Sequence, residues 1–113
     1  MPKKLSGWWN RLNRRGTTIK YPRTIYVQSF TDLPEVLKNA IYVIGAAGKP
    51  KWVVFSCPDH CGHRVEVNLM ESRRPFWIVK IRKNKVSLRP SIVVNGCHSH
   101  FWLVDNEIRW SYD

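Results

Sequence analysis

The chain has 113 residues, of which 43% are hydrophobic and six are tryptophan, and this composition predicts one folded domain and excludes a fully disordered chain. Nineteen Lys and Arg residues against eight acids give a formal net charge of +11, which favours polyanionic partners such as nucleic acid or an acidic protein. We find neither an apolar run long enough for a membrane span nor a secretory signal, so we expect a cytoplasmic protein.

Residues 1–22 are predicted to form a basic N-terminal arm. The segment from Met1 to Arg23 contains no acid, and two tryptophans lie within its basic run. Lys and Arg side chains bind phosphates, and tryptophan rings stack on bases or on apolar patches of a protein. The predicted nucleic-acid or partner contacts are Lys3, Lys4, Trp8, Trp9, Arg11, Arg14 and Arg15.

Residues 23–113 are predicted to form a single zinc-stabilised β-rich domain. The stretch "TIYVQSF" is rich in β-branched and aromatic residues and predicts a strand. In the following "TDLPEVLKN", Thr31 or Asp32 can cap a helix with Pro34 in its first turn, which predicts one short helix.

The rest of the domain is predicted to consist of strands. "AIYVIG" and "KWVVFSC" follow the short helix as two strands, and "HRVEVNLM" alternates apolar and polar residues as a half-buried strand does. Two hairpins come next, turning at Lys83–Lys85 and at Asp105–Asn106. The expected fold is therefore mostly β: a small, zinc-ribbon-like antiparallel sheet with one short helix and the basic arm.

Two cysteine motifs predict a metal site. Three cysteines cannot pair completely within one chain, and in a reducing compartment clustered cysteines often bind metal. Cys57 and Cys61 form a C-x3-C pair, and Cys97 with His100 forms a C-x2-H pair. Close pairs of this kind on turns supply the four tetrahedral ligands that Zn²⁺ prefers. We therefore predict one structural zinc ion bound by these four side chains.

Three alternatives to this zinc site are compatible with the same residues. The cysteines can be small buried apolar residues without a metal. Cys61 with His63, and Cys97 with His100, also have the ligand spacing of a Rieske-type two-iron two-sulfur cluster, which would make the protein an electron carrier. Finally, Cys97 can be a nucleophile activated by His98 or His100.

The second half of the sequence resembles a family of small bacterial metal-binding proteins. The resemblance lies in "CPDHCG", "RRPFWIVK", "SLRPSI" and "GCHSHFWLVDNEIRW", and covers roughly residues 56–110. Members of the family are often encoded beside bacterial ubiquitin-like conjugation genes, together with activating and conjugating enzymes and a JAB-type peptidase. The present sequence departs from the family pattern at Asp59 and His60.

The resemblance implies the same four metal ligands, Cys57, Cys61, Cys97 and His100. It also implies a structural role for a second set of residues, which comprises Pro75, Trp77, Pro90, Ser91, Ser99, Phe101 and Trp102. The family context makes a ubiquitin-like modifier or its conjugating enzyme a further expected partner.

Three functional hypotheses follow from the sequence. The first is a non-enzymatic, zinc-stabilised binding module that docks nucleic acid or a protein through a basic, tryptophan-bearing surface. The second is an accessory factor of a bacterial ubiquitin-like conjugation system. The third is the Rieske-like electron carrier. Since four protein ligands close the coordination sphere of zinc, we expect no enzymatic activity at the metal.

Overall fold

The computed structural model describes residues 19–97 and 99–111, and the described part is mostly β, as predicted. The seven predicted contact residues of the arm and His98 lie outside the described residues. The described part contains nine strands, which are β1 (Ile19–Lys20), β2 (Arg23–Val27), β3 (Ala40–Ala46), β4 (Lys49–Ser56), β5 (Arg64–Asn68), β6 (Ile78–Arg82), β7 (Lys85–Val94), β8 (Ser99–Val104) and β9 (Glu107–Trp110).

The strands form two sheets. One has five strands in the order β1-β9-β8-β7-β6, and the other has four in the order β2-β3-β4-β5. All neighbouring strands pair antiparallel except β2 and β3, which run parallel. The second sheet is therefore mixed, whereas a purely antiparallel one was expected. A parallel pair needs a connection that crosses from one end of the sheet to the other, and residues 28–39 supply it.

The main core lies between the two sheets. The four-stranded sheet contributes alternate residues of its strands, such as Val65 and Val67 of β5, and the five-stranded sheet contributes others, such as Phe101 and Leu103 of β8. These four side chains are at most 6% exposed. Because successive residues of a strand point to opposite faces, the alternation of "HRVEVNLM" correctly predicts which side of β5 is buried.

A second, smaller core covers the other face of the four-stranded sheet. Tyr42, Ile44 and Val54 lie on this face and pack against residues of the 28–39 connection, including Phe30 and Leu33. Strand β3 is consequently buried on both faces, which explains its nearly continuous run of apolar residues. The five-stranded sheet exposes large apolar side chains on its outer face, among them Ile78, Val93 and Trp102.

The predicted helix at residues 31–39 is wrong. The structure has a single 3-10 turn there, at Phe30–Asp32, and the chain leaves it at Leu33 with extended backbone angles, φ −76° and ψ 144°. Leu33 precedes Pro34, and the proline ring disfavours helical angles in the residue before it. Leu33 and Leu37 instead pack on the sheet as part of an irregular connection, while Val36 is exposed.

Both predicted hairpins are confirmed, and each has a two-residue turn. Lys83 and Asn84 join β6 to β7, and Asp105 and Asn106 join β8 to β9. All four residues have positive φ, between 50° and 64°. Two positive-φ residues in a row are typical of the type I′ turn, whose twist matches that of paired strands, and Asn tolerates this conformation well.

The end of the predicted arm joins the sheet. Ile19 and Lys20 pair with Ile108 and Glu107 of β9, and Tyr21 is 4% exposed. The Tyr21 hydroxyl donates a hydrogen bond of 2.6 Å to the carbonyl oxygen of Ser56, which ties this segment to the end of β4. Burial raises the pKa of Tyr21. Within the described ranges, no helix has the length and hydropathy to cross a membrane.

Candidate functional site

The three cysteines come together where two loops meet at one end of the two sheets. The pairing of Ser56 with Arg64 closes the loop that carries Cys57 and Cys61, and the pairing of Val94 with Ser99 closes the loop that carries Cys97. The three Sγ atoms lie within 4.8 Å of one another. The sequence prediction that Cys57, Cys61 and Cys97 lie close together is therefore confirmed, and the cluster could hold a metal ion.

The loop around Cys57 is held by main-chain hydrogen bonds. The Cys57 N–H donates to the carbonyl oxygen of His63 at 3.0 Å, and the His60 N–H donates to that of Cys57 at 3.2 Å. His60 and Gly62 both have positive φ, 58° and 84°, which lets seven residues reverse the chain direction. Cys61, at the tip of this loop, is exposed, while Cys57 at its base is buried.

The thiols of the cluster differ in their electrostatic environment. The Sγ atoms of Cys57 and Cys97 lie 3.4 Å apart, far beyond the disulfide bond length of about 2.05 Å. A hydrogen bond with the Ser99 hydroxyl, 3.4 Å away, and a second with Cys61 lower the pKa of Cys97 to about 6. Burial raises the pKa of Cys57. Cys97 thus has a stronger tendency than Cys57 toward the thiolate form, which is the form that binds metal.

Among the described histidines, His63 contacts the cysteine cluster. Its Nδ1 atom lies 3.0 Å from the Sγ of Cys61. A Cβ atom built on Gly96 would lie 3.2 Å from Cε1 of the His63 ring, so the ring packs against the turn that carries Cys97. The ring therefore lies between the two cysteine loops.

Among the described residues, the set of mutually close ligand atoms comprises the three cysteines; it includes neither His63 nor His100, the fourth ligand predicted from sequence. The Nε2 atom of His100 instead makes a hydrogen bond of 2.8 Å with Oγ of Ser91. The Rieske hypothesis would require this same imidazole at an iron atom beside Cys97. Hence the structure brings together three of the four predicted ligands and gives the fourth a different neighbour.

The Ser91–His100 pair lies beside an irregularity in β7. Leu88 pairs with Leu103 and Ile92 pairs with Phe101, so three residues of β7 lie opposite one residue of β8. Such a bulge changes the direction of the side chains it contains, and bulges are common beside active sites. Ser91 precedes the buried Ile92 and therefore lies on the outer face of the sheet, as does His100, the pairing partner of Val93.

The main chain on both sides of the pair is held in place. The indole N–H of Trp77 donates a hydrogen bond of 3.2 Å to the carbonyl oxygen of Ser91. The carbonyl oxygen of His100 accepts a hydrogen bond of 2.9 Å from the N–H of Ser111. Phe101, the next residue after His100, is fully buried and packs edge-on against Trp110, with ring centroids 5.9 Å apart. The Ser91 and His100 side chains therefore project from main chain that is hydrogen-bonded on both strands.

A serine hydroxyl within hydrogen-bond distance of an imidazole nitrogen is the arrangement of a nucleophile and its general base. Sequence reasoning missed this pair, because it placed Ser91 among structural residues and His100 among the metal ligands. The two residues are nine apart on neighbouring strands of an irregular pairing. The sequence signals were "PSI" and "SHFW", and neither shows that Ser91 and His100 lie side by side on the sheet.

A groove of about 1050 Å³ adjoins the pair on the outer face of the five-stranded sheet. Its wall includes Pro90, which precedes Ser91, and Trp102, which lies two residues after His100 on the same side of β8. The remaining lining residues come from β6, β7, the ends of β8 and the turn after it. Ser91 and His100 are not among the lining residues, so the groove borders the pair through Pro90 and Trp102.

Comparison with known proteins identifies the family. No curated protein and no solved structure matches the chain. The family model described as "Bacterial ubiquitination-like system serine protease (BubE)" matches residues 27–111, which is more than half of the 113 residues. This result agrees with the predicted association with bacterial ubiquitin-like conjugation, whereas the predicted nucleic-acid binding has no support. The chain therefore belongs to the BubE family of bacterial ubiquitination-like systems.

Proposed function

We propose that the protein is a serine protease of a bacterial ubiquitin-like conjugation system, with Ser91 as its nucleophile and His100 as its general base. The observation that carries this proposal is the 2.8 Å hydrogen bond between Ser91 Oγ and His100 Nε2. The description of the family as serine proteases supports it, since that description requires a reactive serine. The proposal replaces the non-enzymatic binding module expected from the sequence.

In the proposed reaction each residue has a step in acyl transfer. With His100 protonated on Nδ1, the Ser91 hydroxyl donates its hydrogen bond to Nε2. Oγ attacks the carbonyl carbon of the scissile bond while Nε2 takes the hydroxyl proton, and the resulting imidazolium then protonates the leaving group. An acyl-serine remains, and a water molecule, deprotonated by the same imidazole, hydrolyses it and restores the hydroxyl.

Labelling with a fluorophosphonate probe tests the nucleophile without knowledge of the substrate. The probe reacts with activated serines, so we expect wild-type protein to carry one adduct, on Ser91. Ser91→Ala should abolish labelling, and His100→Ala should slow it by about 10²–10⁴-fold, the usual contribution of a general base. Ser72→Ala is the matched control, since Ser72 is exposed in a turn between β5 and β6.

Cleavage of a ubiquitin-like modifier then tests the biological role. The probe substrate is a bacterial ubiquitin-like modifier, extended at its carboxyl end or joined to a second protein. We expect mass spectrometry to show hydrolysis by wild type and by the Ser72→Ala control, and none by Ser91→Ala. Full cleavage or labelling by the Ser91→Ala protein would rule out the assignment.

We infer further that the cysteine cluster holds one structural zinc ion. Zn–S bonds of about 2.3 Å in a tetrahedron put sulfur atoms about 3.8 Å apart. The Sγ atoms of Cys57 and Cys97 are 3.4 Å apart, and all three Sγ atoms lie within 4.8 Å of one another, which is close to this spacing. Three thiols are also a donor set that favours Zn²⁺ over harder cations.

For the fourth ligand we propose His63 in place of His100. Zn–N and Zn–S bonds of about 2.0 and 2.3 Å put the nitrogen and sulfur about 3.5 Å apart, and Nδ1 of His63 is 3.0 Å from the Cys61 sulfur. Elemental analysis of purified variants separates the two histidines. We expect His63→Ala to lose zinc and His100→Ala to retain one ion per chain, and the reverse result would restore His100 as the ligand.

A further inference from the structure

The groove beside the Ser91–His100 pair has a marked charge pattern. It is lined by four apolar side chains at one end, Phe76, Ile78, Pro90 and Trp102. Three cations, Lys80, Arg82 and Arg89, also line it. The single acid in the lining is Asp105. The groove therefore combines an apolar section next to the serine with a strongly cationic section.

The cations form an ordered row. Ile78, Lys80 and Arg82 alternate along β6, so their side chains point to the same face of the sheet. Arg89 of β7 is the pairing partner of Ile78, which places a third cation on the Ser91 side of the row. Alternate residues of a strand are about 7 Å apart, and the same spacing separates alternate side chains of an extended peptide.

These cations lack a carboxylate partner within the described residues. The ion pairs found there join Lys20 and Arg109 to Glu107, and Arg64 to Glu66. Asp105 is tied to Ser87 instead: its N–H donates to the Ser87 hydroxyl at 2.9 Å, and that hydroxyl lies 3.4 Å from the carboxylate. The groove is thus left with uncompensated positive charge.

We infer that this groove binds an extended acidic segment of the protein substrate and so sets the specificity of cleavage. Carboxylates at alternate positions of the segment pair with Lys80 and Arg82, and an apolar residue nearer the scissile bond packs against Ile78 and Trp102. Arg89 contributes a third positive charge close to the reacting serine. The inference rests on the proposed function, because it takes Ser91 as the point of cleavage.

Binding measured on the Ser91→Ala protein tests the groove separately from catalysis. The probes are two fluorescent peptides of about eight residues, one with Glu and one with Gln at alternate positions, read by anisotropy. We expect the Glu peptide to bind about tenfold more tightly than the Gln peptide at low salt, and to lose this advantage in high salt, as exposed ion pairs do.

A charge reversal with a matched control assigns the effect to the groove. Lys80→Glu/Arg82→Glu should remove the preference for the Glu peptide and create one for a Lys peptide. Lys49→Glu/Lys51→Glu changes the net charge equally at two exposed alternate residues of β4, in the other sheet, and should leave the preference intact. With the wild-type catalytic pair, the same peptides joined to a cleavable bond should differ in KM rather than in kcat.

Three results would overturn the inference. Equal binding of the Glu and Gln peptides would show that charge does not select the substrate. An equal effect of the β4 control would assign the preference to net charge alone. Displacement of the Glu peptide by a single-stranded oligonucleotide, with loss of oligonucleotide binding in Lys80→Glu/Arg82→Glu, would show a nucleic-acid surface instead. Acidic-peptide binding without cleavage or probe labelling would contradict the proposed function but retain the groove.

Discussion

Asn106→Ala is expected to be strongly destabilising, because the Asn106 side chain joins three parts of the fold. This side chain is 5% exposed. Its Oδ1 accepts a hydrogen bond of 2.7 Å from the Val86 N–H at the start of β7. Its Nδ2 donates to the carbonyl oxygen of Tyr21 at 3.2 Å and to the hydroxyl of Thr24 at 2.8 Å. One amide therefore connects the β8–β9 turn to β7, to Tyr21 between β1 and β2, and to Thr24 of β2.

The expected magnitude follows from the groups that the substitution leaves without a partner. Alanine removes the bonds to the Val86 N–H and the Tyr21 carbonyl oxygen, and each unsatisfied buried group costs about 1–3 kcal/mol. A further cost of roughly 1–2 kcal/mol arises because Asn106 has a φ of 64°, which alanine adopts poorly. The sum is about 3–8 kcal/mol, and the free energy of unfolding of a whole domain is typically about 5–15 kcal/mol. The substitution therefore removes a large part of the stability of the domain.

Asn84→Ala is the matched control. Asn84 occupies the equivalent position of the β6–β7 turn with a φ of 61°, but it is exposed, and its side chain accepts one bond, from the Tyr26 hydroxyl at 3.1 Å. Both variants share the backbone cost, so their difference isolates the buried hydrogen bonds. Urea unfolding followed by tryptophan fluorescence, analysed with a common slope, gives the free energy of unfolding of each variant.

We expect Asn106→Ala to be less stable than Asn84→Ala by about 2–6 kcal/mol, the cost of the two unsatisfied groups. Loss of a cooperative transition in Asn106→Ala alone would agree with the upper end of this range. A difference below about 1 kcal/mol would refute the reasoning, since it would mean that the buried amide network contributes no more than an exposed turn residue.

Three further predictions concern the site and the arm. Trp77→Phe removes the indole N–H that donates to the Ser91 carbonyl oxygen, so kcat for peptide cleavage should fall several-fold with KM unchanged. Equal kcat values for the wild type and Trp77→Phe would exclude a positioning role for Trp77. Cys97→Ser should contain no zinc when measured by elemental analysis, and should unfold or aggregate, because structural zinc contributes about 10–16 kcal/mol in small peptides at neutral pH. Retention of the metal with an unchanged melting temperature would contradict a structural site. Deletion of residues 1–16 should leave the melting temperature and the probe labelling of Ser91 unchanged. If the arm contacts duplex phosphates, the deletion should also reduce the salt dependence of nucleic-acid binding, by a slope of about −0.9 in log K against log salt for each phosphate no longer contacted. Tight, salt-independent binding by the truncated protein would end the electrostatic hypothesis.

Local patterns in the sequence predicted most of the strands, because they depend on neighbouring residues. The alternation around Val65 and Val67 shows which side of β5 is buried, and the Asn residues at positions 84 and 106 indicate the two hairpin turns. The clustering of the three cysteines was also predictable, since each lies in a short loop between strands. The predicted helix failed because a pattern of apolar residues does not include the restriction that Pro34 imposes on Leu33.

The sequence by itself determined the β character of the domain, its hairpins and the loops that carry the thiols, since propensity, alternation and turn chemistry act over a few residues. The partner of His100 was decided only by tertiary structure. The pairing of Val93 with His100 puts the imidazole on the outer face of the sheet, where its Nε2 atom lies 2.8 Å from the Ser91 hydroxyl rather than among the cysteines. The register of two strands depends on how they pair and on the packing beneath them, and the residues on either side of Ser91 do not determine that register.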